Sequence, residues 1–184
     1  MPRLFVAIEL PDAIKEQLVQ LETHIPTARW VKPEQMHLTL RFIGEVAEKQ
    51  AAAIKSALGT VEAALFELQL SGVGRFPLSE RRAPRVLWVG ITPQPALNQL
   101  QQHIEKTLAT VGCEPEEETF HAHITLARFK TEKPLQQVVD FLEAQAHFRA
   151  GPIAVTRFVL VQSVLSPRGP TYSNAGAYPL SQAG

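Results

Sequence analysis

The chain has 184 residues, 45% of them apolar and 20% charged, which supports one sizeable folded unit, or two small lobes sharing a core, and places it with folded soluble proteins rather than disordered ones. Its 18 basic and 18 acidic side chains cancel, which argues against a polycation that wraps duplexes and leaves any phosphate attraction to local charge placement. The single cysteine, Cys113, permits no intrachain disulfide and no cysteine-rich zinc site, so a reducing, cytoplasmic setting is expected.

The first apolar run, Leu4 to Leu10, is short, contains Glu9 and meets Pro11 and Asp12 without a small-residue cleavage pattern. It reads as a buried first strand rather than a leader. Nowhere does an apolar run approach the ~20 residues that span a bilayer, so no membrane association is expected. Pro11 and Asp12 open a helix whose Ile14, Leu18 and Leu21 share a face. Ala28 to Val31 reads as a short strand and Met36 to Ile43 as a longer one, closed by Gly44. Ala47 to Ala63 is predicted helical, with Ile54, Leu58 and Val61 as its buried stripe, and Leu65 to Val73 is predicted to be a strand.

A second series follows the polar, proline-containing stretch Gly74 to Arg85. Val86 to Ile91 reads as strand, and Pro95 to Val111 as a helix with Leu97, Leu100, Ile104 and Leu108 inward. Glu114 to Glu118 is expected to be a solvated turn. Phe120 to Phe129 contains a strand, Leu135 to Leu142 has helical spacing, and Ile153 to Val164 is one long β-rich segment. The tail from Ser166, with Pro167, Gly169 and Pro170 before Tyr172 and Tyr178, suits a final hairpin arm.

The informative pattern is a duplication: His37-Leu38-Thr39-Leu40-Arg41-Phe42 and His123-Ile124-Thr125-Leu126-Ala127-Arg128-Phe129. Strand side chains alternate faces, so each histidine shares a face with the threonine two residues on, while Leu38, Leu40, Ile124 and Leu126 are buried behind them. Imidazole exchanges protons near neutral pH, and a threonine hydroxyl donates to a phosphoryl oxygen. One such pair would be incidental; two in matched settings point to opposed lobes around a cleft, with helices outside. The periodicity breaks at 78–85, which marks the expected lobe boundary, with the C-terminal segment free to return to the first lobe. Paired packing without chemistry is the alternative that the residues alone leave open.

These two His-x-Thr-x tetrads, with Phe5-Val6-Ala7-Ile8 before them and the Phe42-Ile43-Gly44 and Leu126-Ala127-Arg128 continuations, resemble the two-histidine phosphoesterase superfamily. The closer resemblance is to its RNA 2′,3′-cyclic phosphodiesterases, also called 2′-5′ RNA ligases. The resemblance implies an α+β, bilobal fold with two pseudo-symmetric antiparallel or mixed sheets, outer helices and a central cleft. It implies opening of a 2′,3′-cyclic phosphate at an RNA or oligonucleotide end to a 2′-phosphomonoester, without metal or other cofactor, with reversible 2′-5′ ligation in some members. On that basis His37 is the expected proton donor and His123 the proton acceptor, with Thr39 and Thr125 on the phosphate oxygens. The physical requirement is general: in-line displacement needs a base on the nucleophile's side and an acid on the leaving group's side.

Around the tetrads, Arg128 is expected to neutralise phosphate, although simple alternation points it away from His123, so a bulge or twist must turn it inward. Phe42 offers a stacking face for a base, or else packs with Leu38 and Leu40. Arg41 falls on the His37 side or on the open surface. Arg75, Arg81, Arg82 and Arg85 form the strongest local positive segment, read either as contacts to RNA beyond the cyclic end or as a solvated loop. Lys32 and Lys130 add positive potential near the motifs. His121 reads as peripheral; His24, His103 and His147 have no motif. The competing functions are turnover of a small cyclic nucleotide and non-catalytic binding of RNA ends. A monomer with no obligate protein partner is expected, since one chain completes the cleft.

Overall fold

In a computed structural model, residues 1–182 are described. The strands are β1 (Arg3–Glu9), β2 (Ala28–Trp30), β3 (His37–Glu45), β4 (Phe66–Phe76), β5 (Val86–Ile91), β6 (His123–Phe129), β7 (Arg149–Val155), β8 (Arg157–Val164) and β9 (Thr171–Pro179). The helices are α1 (Asp12–Val19), α2 (Glu48–Leu58), α3 (Pro95–Ala109) and α4 (Gln136–Ala144), with a 3-10 turn at Pro33–Gln35. Two antiparallel sheets result, ordered β3-β1-β8-β9 and β2-β6-β5-β4-β7. The architecture is α+β and bilobal, each sheet contributing one motif strand.

The chain moves between the sheets several times. β2 and β4 precede residue 78 yet belong to the five-stranded sheet, and β8 and β9 join the sheet of β1 and β3. The segment 78–85 therefore does not divide the sheets; it links β4 to β5 within one of them. The single β-rich run expected from Ile153 to Val164 is two strands. β7 pairs with β4 and β8 with β1, so the break at Thr156 carries the chain from one lobe to the other.

One hydrophobic core underlies both sheets. β1 explains its apolar run: Leu4, Val6 and Ile8 enter this core, while Phe5 and Ala7 join Val159 and Val161 in a small cluster on the opposite face. Burial on both faces removes the need for polar alternation. In α3, Leu97, Leu100, Ile104 and Leu108 are buried as their spacing requires. Pro95 opens that helix, and the Gln94 side chain caps it by accepting from the Ala96 N–H at 3.3 Å. No helix among the described residues is long and apolar enough to cross a membrane.

Arg41 departs from the expected surface position. Its cross-strand register shifts, with Val6 opposite Arg41 but Ala7 opposite Thr39, which marks a bulge at Leu40/Arg41. The bulge turns Arg41 away from the His37 face and buries it to 7% exposure. There its Nε donates to Glu116 at 2.9 Å, Nη1 donates to Glu105 of α3 at 3.2 Å, and Nη2 donates to the Glu114 carbonyl. The acidic run at 114–118, expected to be merely solvated, is thus fastened to the first motif strand. Removing the guanidinium leaves the partly buried Glu105 carboxylate and the Glu114 carbonyl without their donor, while the exposed Glu116 stays solvated. Arg41→Ala is expected to lower stability by about 2–3 kcal/mol, read as a lower urea midpoint at unchanged slope; a midpoint within error of the parent rules this out.

Candidate active site

β3 and β6 pack against each other across the two lobes. Between them a cleft of about 90 Å³ is lined by His37, Thr39, Thr125 and Arg128, together with Phe5, Gln35 and Tyr172. Three of the four tetrad side chains thus share one opening. His123 is not among the residues lining it. It precedes Thr125 by two on the same strand, which sets it on Thr125's face at the cleft's end.

Arg128 reaches the cleft by a bulge. Leu87 lies opposite Ala127 but Trp88 lies opposite Thr125, so Leu126 and Ala127 occupy a single step of the pairing. Both are buried, and Arg128 emerges on the threonine's face. This repeats the bulge at Leu40/Arg41. In the first copy the residue brought to the outside is Phe42, 48% exposed, with the Arg3 guanidinium 5.3 Å above its ring. Simple alternation had grouped Phe42 with Leu38 and Leu40; the bulge overturns that packing alternative. Phe42 does not line the cleft itself. Phe129, by contrast, is core. Arg29 of β2 sits directly opposite Arg128, and like charges so placed repel unless an anion lies near.

The two histidines are held alike. His37 Nδ1 lies 3.2 Å from the Gln35 carbonyl, and His123 Nδ1 lies 2.6 Å from the His121 carbonyl. A carbonyl only accepts, so each Nδ1 carries the proton and donates, which leaves Nε2 as the exchanging atom. Aromatic rings fix the imidazole planes edge-on. Phe5 and Tyr172 stand 5.9 and 5.6 Å from His37, and Phe76 stands 5.2 Å from His123. His121 closes the second group, 4.9 Å from Trp88. Trp88 in turn lies over Gly74, where a Cβ would come within 2.2 Å of the indole. None of these supporting rings stands out by motif. Only the alternation in β1, which sets Phe5 opposite the Leu4 face, could have marked one of them.

The candidate arginines divide. Arg75 is 2% exposed, donating from Nε to the Pro77 carbonyl at 2.8 Å and from Nη2 to the Arg82 carbonyl at 2.5 Å. It is a clamp within the β4–β5 loop and does not present its charge to RNA, because the loop folds back over it. Arg81, Arg82 and Arg85 are exposed on that loop, outside the cleft.

Burial lowers both histidine pKa values, because an imidazolium loses hydration. Opposing this, the carbonyl bond raises each. The remaining charges differ: Lys15 lowers and Glu9 raises His37, whereas His121 and Arg128 both lower His123. Glu9, directly across from His37 in β1, is itself partly buried, which raises its pKa. Bonds from Arg157 at 2.6 Å and Asn174 at 3.3 Å outweigh that and hold the carboxyl below its usual range.

The stability consequence has a definite sign. With folded-state values below the ordinary 6.5, the unfolded chain binds more protons in that window. The contribution from neutral, buried imidazoles is present in full above about pH 6.5 and is lost as pH falls through the folded-state values. Urea stability measured from pH 7.5 to 5 is expected to decline on the acid side, and less steeply in the His37→Asn/His123→Asn variant. Equal slopes in both proteins would remove these two groups as the cause.

The chain matches the LigT like Phosphoesterase family twice, over residues 8–88 and 89–172, one match for each motif copy. It is 38% identical over 164 residues to the RNA 2′,3′-cyclic phosphodiesterase of Aeropyrum pernix, covering 89% of this chain and 88% of that one. It is 34% identical to the Archaeoglobus fulgidus protein of the same name, covering 94% and 97%. The crystal structure of E. coli LigT complexed with 3′-AMP superposes with a TM-score of 0.77 at 30% identity, over 99% of this chain and 100% of that one. With one tetrad on a strand of each sheet and similarity over nearly its whole length, the chain belongs to the LigT-like phosphoesterase family.

Proposed function

We propose that this chain hydrolyses the 2′,3′-cyclic phosphate at the end of an RNA or oligonucleotide to a 2′-phosphomonoester, with His37 and His123 as its acid and base. The relatives named RNA 2′,3′-cyclic phosphodiesterase support the reaction class. The carrying observation is the duplicated arrangement: a histidine whose Nδ1 is bound to a carbonyl two residues earlier, followed by a threonine on the same face, once in each lobe.

In this reading His123 Nε2 removes a proton from water as its oxygen forms a bond to phosphorus. The bond from phosphorus to the ribose 3′-oxygen breaks, and the His37 Nε2–H protonates that oxygen. Thr39, Thr125 and Arg128 hold the non-bridging oxygens, where negative charge concentrates. The charge pattern favours this division. Burial lowers both imidazoles; among the charges, Glu9 opposes Lys15 at His37, whereas at His123 both Arg128 and His121 disfavour the imidazolium and so favour the neutral ring that a proton acceptor needs. Turnover leaves His123 charged and His37 neutral, and exchange with solvent restores the pair. A ribose 5′-hydroxyl in place of water as the nucleophile forms the bond to phosphorus while the bond to the 3′-oxygen breaks, which gives a 2′-5′ linkage by the same two proton transfers. Phe42, exposed beyond the bulge, offers a face for a base.

The test is incubation of purified protein with an RNA ending in a 2′,3′-cyclic phosphate, in excess chelator, with separation of 2′- and 3′-phosphate products. Only the 2′-phosphate is expected. His37→Ala and His123→Ala are each expected to lose about 10²–10⁴-fold in kcat, with binding of the product RNA less affected. Exclusive 3′-phosphate, an absolute need for metal, or full activity in either variant would each refute the assignment.

A further inference from the structure

The cleft's volume, about 90 Å³, is small beside that of typical ligand sites. It suits a phosphate group, with the rest of the strand extending beyond it. Past Gln35 and Tyr172, which line both spaces, a second groove of about 400 Å³ opens. That volume falls within the range of about 300–1,000 Å³ typical of ligand sites.

Two cations line this groove. Lys32 precedes the 3-10 turn that leads into His37, and Arg168 lies at the tip of the β8–β9 connection. Both are exposed, and neither has a carboxylate partner within ion-pair distance among the described residues. The only acid on the groove's walls is Glu34. The walls are also fixed to each other: Gln35 Nε2 donates to the Pro170 carbonyl at 2.8 Å, joining the approach to His37 to the far turn. That turn is closed on itself by the Gly169 N–H donating to the Ser166 carbonyl at 3.0 Å and the Ser166 hydroxyl donating to the Gly169 carbonyl at 2.7 Å. Gly169 adopts φ +103°, which a side chain would oppose. Arg168 is therefore carried on a built turn beside a groove already continuous with the cleft.

We propose that this groove binds the RNA strand on the 5′ side of the cyclic end, with Lys32 and Arg168 holding the phosphodiester that joins the terminal nucleotide to its neighbour. The proposal rests on the cyclic-phosphodiesterase reading and assigns that site a preference for oligonucleotides over single nucleosides. Two cations against one carboxylate suit a phosphodiester better than a neutral or cationic ligand. The exposed arginines of the β4–β5 loop, Arg81 and Arg82, lie on neither groove nor cleft.

The distinguishing pair of substrates is a nucleoside 2′,3′-cyclic phosphate, which lacks that phosphodiester, and a dinucleotide ending in the same cyclic phosphate. Wild-type protein is expected to show the higher kcat/KM on the dinucleotide. Lys32→Ala/Arg168→Ala is expected to lower dinucleotide kcat/KM about tenfold or more and to flatten its dependence on salt. Its activity on the nucleoside should be unchanged, which also shows that the variant is folded. Arg81→Ala/Arg82→Ala should alter neither. An unchanged ratio between the substrates in the Lys32/Arg168 variant overturns the groove assignment, as does a selective loss in the Arg81/Arg82 variant. If the wild-type protein turns over neither substrate, the phosphodiesterase reading fails and takes this inference with it. Wild-type activity that is equal on both removes the groove alone.

Discussion

An extra residue in each motif strand, at Leu40/Arg41 and again at Leu126/Ala127, decides which side chains face the cleft and the open surface. Strand alternation runs undisturbed through histidine and threonine, then loses one step. The residues directly after that step change face. In β6 the shift delivers Arg128 to the cleft; in β3 it delivers Phe42 to the outside and sends Arg41 inward to the carboxylates of Glu105 and Glu116. The lobes thus share a backbone device and differ in what they present through it. One offers a fixed positive charge and the other an aromatic face, while the buried partner is alanine in one and a paired arginine in the other.

The same economy governs the histidines. Each ring is braced by a carbonyl from its own approach segment and by aromatic edges, so orientation and tautomer come from local structure rather than from the opposite lobe. What distinguishes them is the charge each neighbourhood contributes. At His37 the Glu9 carboxylate, from the paired strand β1, opposes Lys15 of α1, whereas at His123 Arg128 and His121, from the stretch that carries it, act together to disfavour the charged ring. A near-symmetric frame in this way places its two imidazoles in unequal electrostatic surroundings.

The strands, the helical stripes and the paired tetrads were legible in the chain because they depend on short-range periodicity. Leu97, Leu100, Ile104 and Leu108 could face only inward together, and His37 with Thr39 could face only one way. Arg128 was within reach once a bulge was allowed. What escaped depends on distant pairing. Arg75 looks like part of a basic patch until the loop that follows wraps it, and Arg41 looks exposed until Glu105 and Glu116 arrive from much later in the chain. The run from Ile153 to Val164 has uniform β character, so nothing local announces that its halves belong to different sheets. Tyr172 and Gln35 flank the cleft without belonging to any motif, placed there by the return of the C-terminal strands and by the turn before His37.

Gly74 carries a consequence of a different kind. The indole of Trp88 occupies the space where any other residue would place its first side-chain carbon, and that indole lies tilted against the ring of His121, whose carbonyl steadies His123. The proton affinity of a ring on β6 is therefore governed in part by atoms that are missing from β4, two strands away. Enlarging that bare position would act on His123 by rehydrating its imidazole, with every residue that lines the cleft unchanged in the sequence.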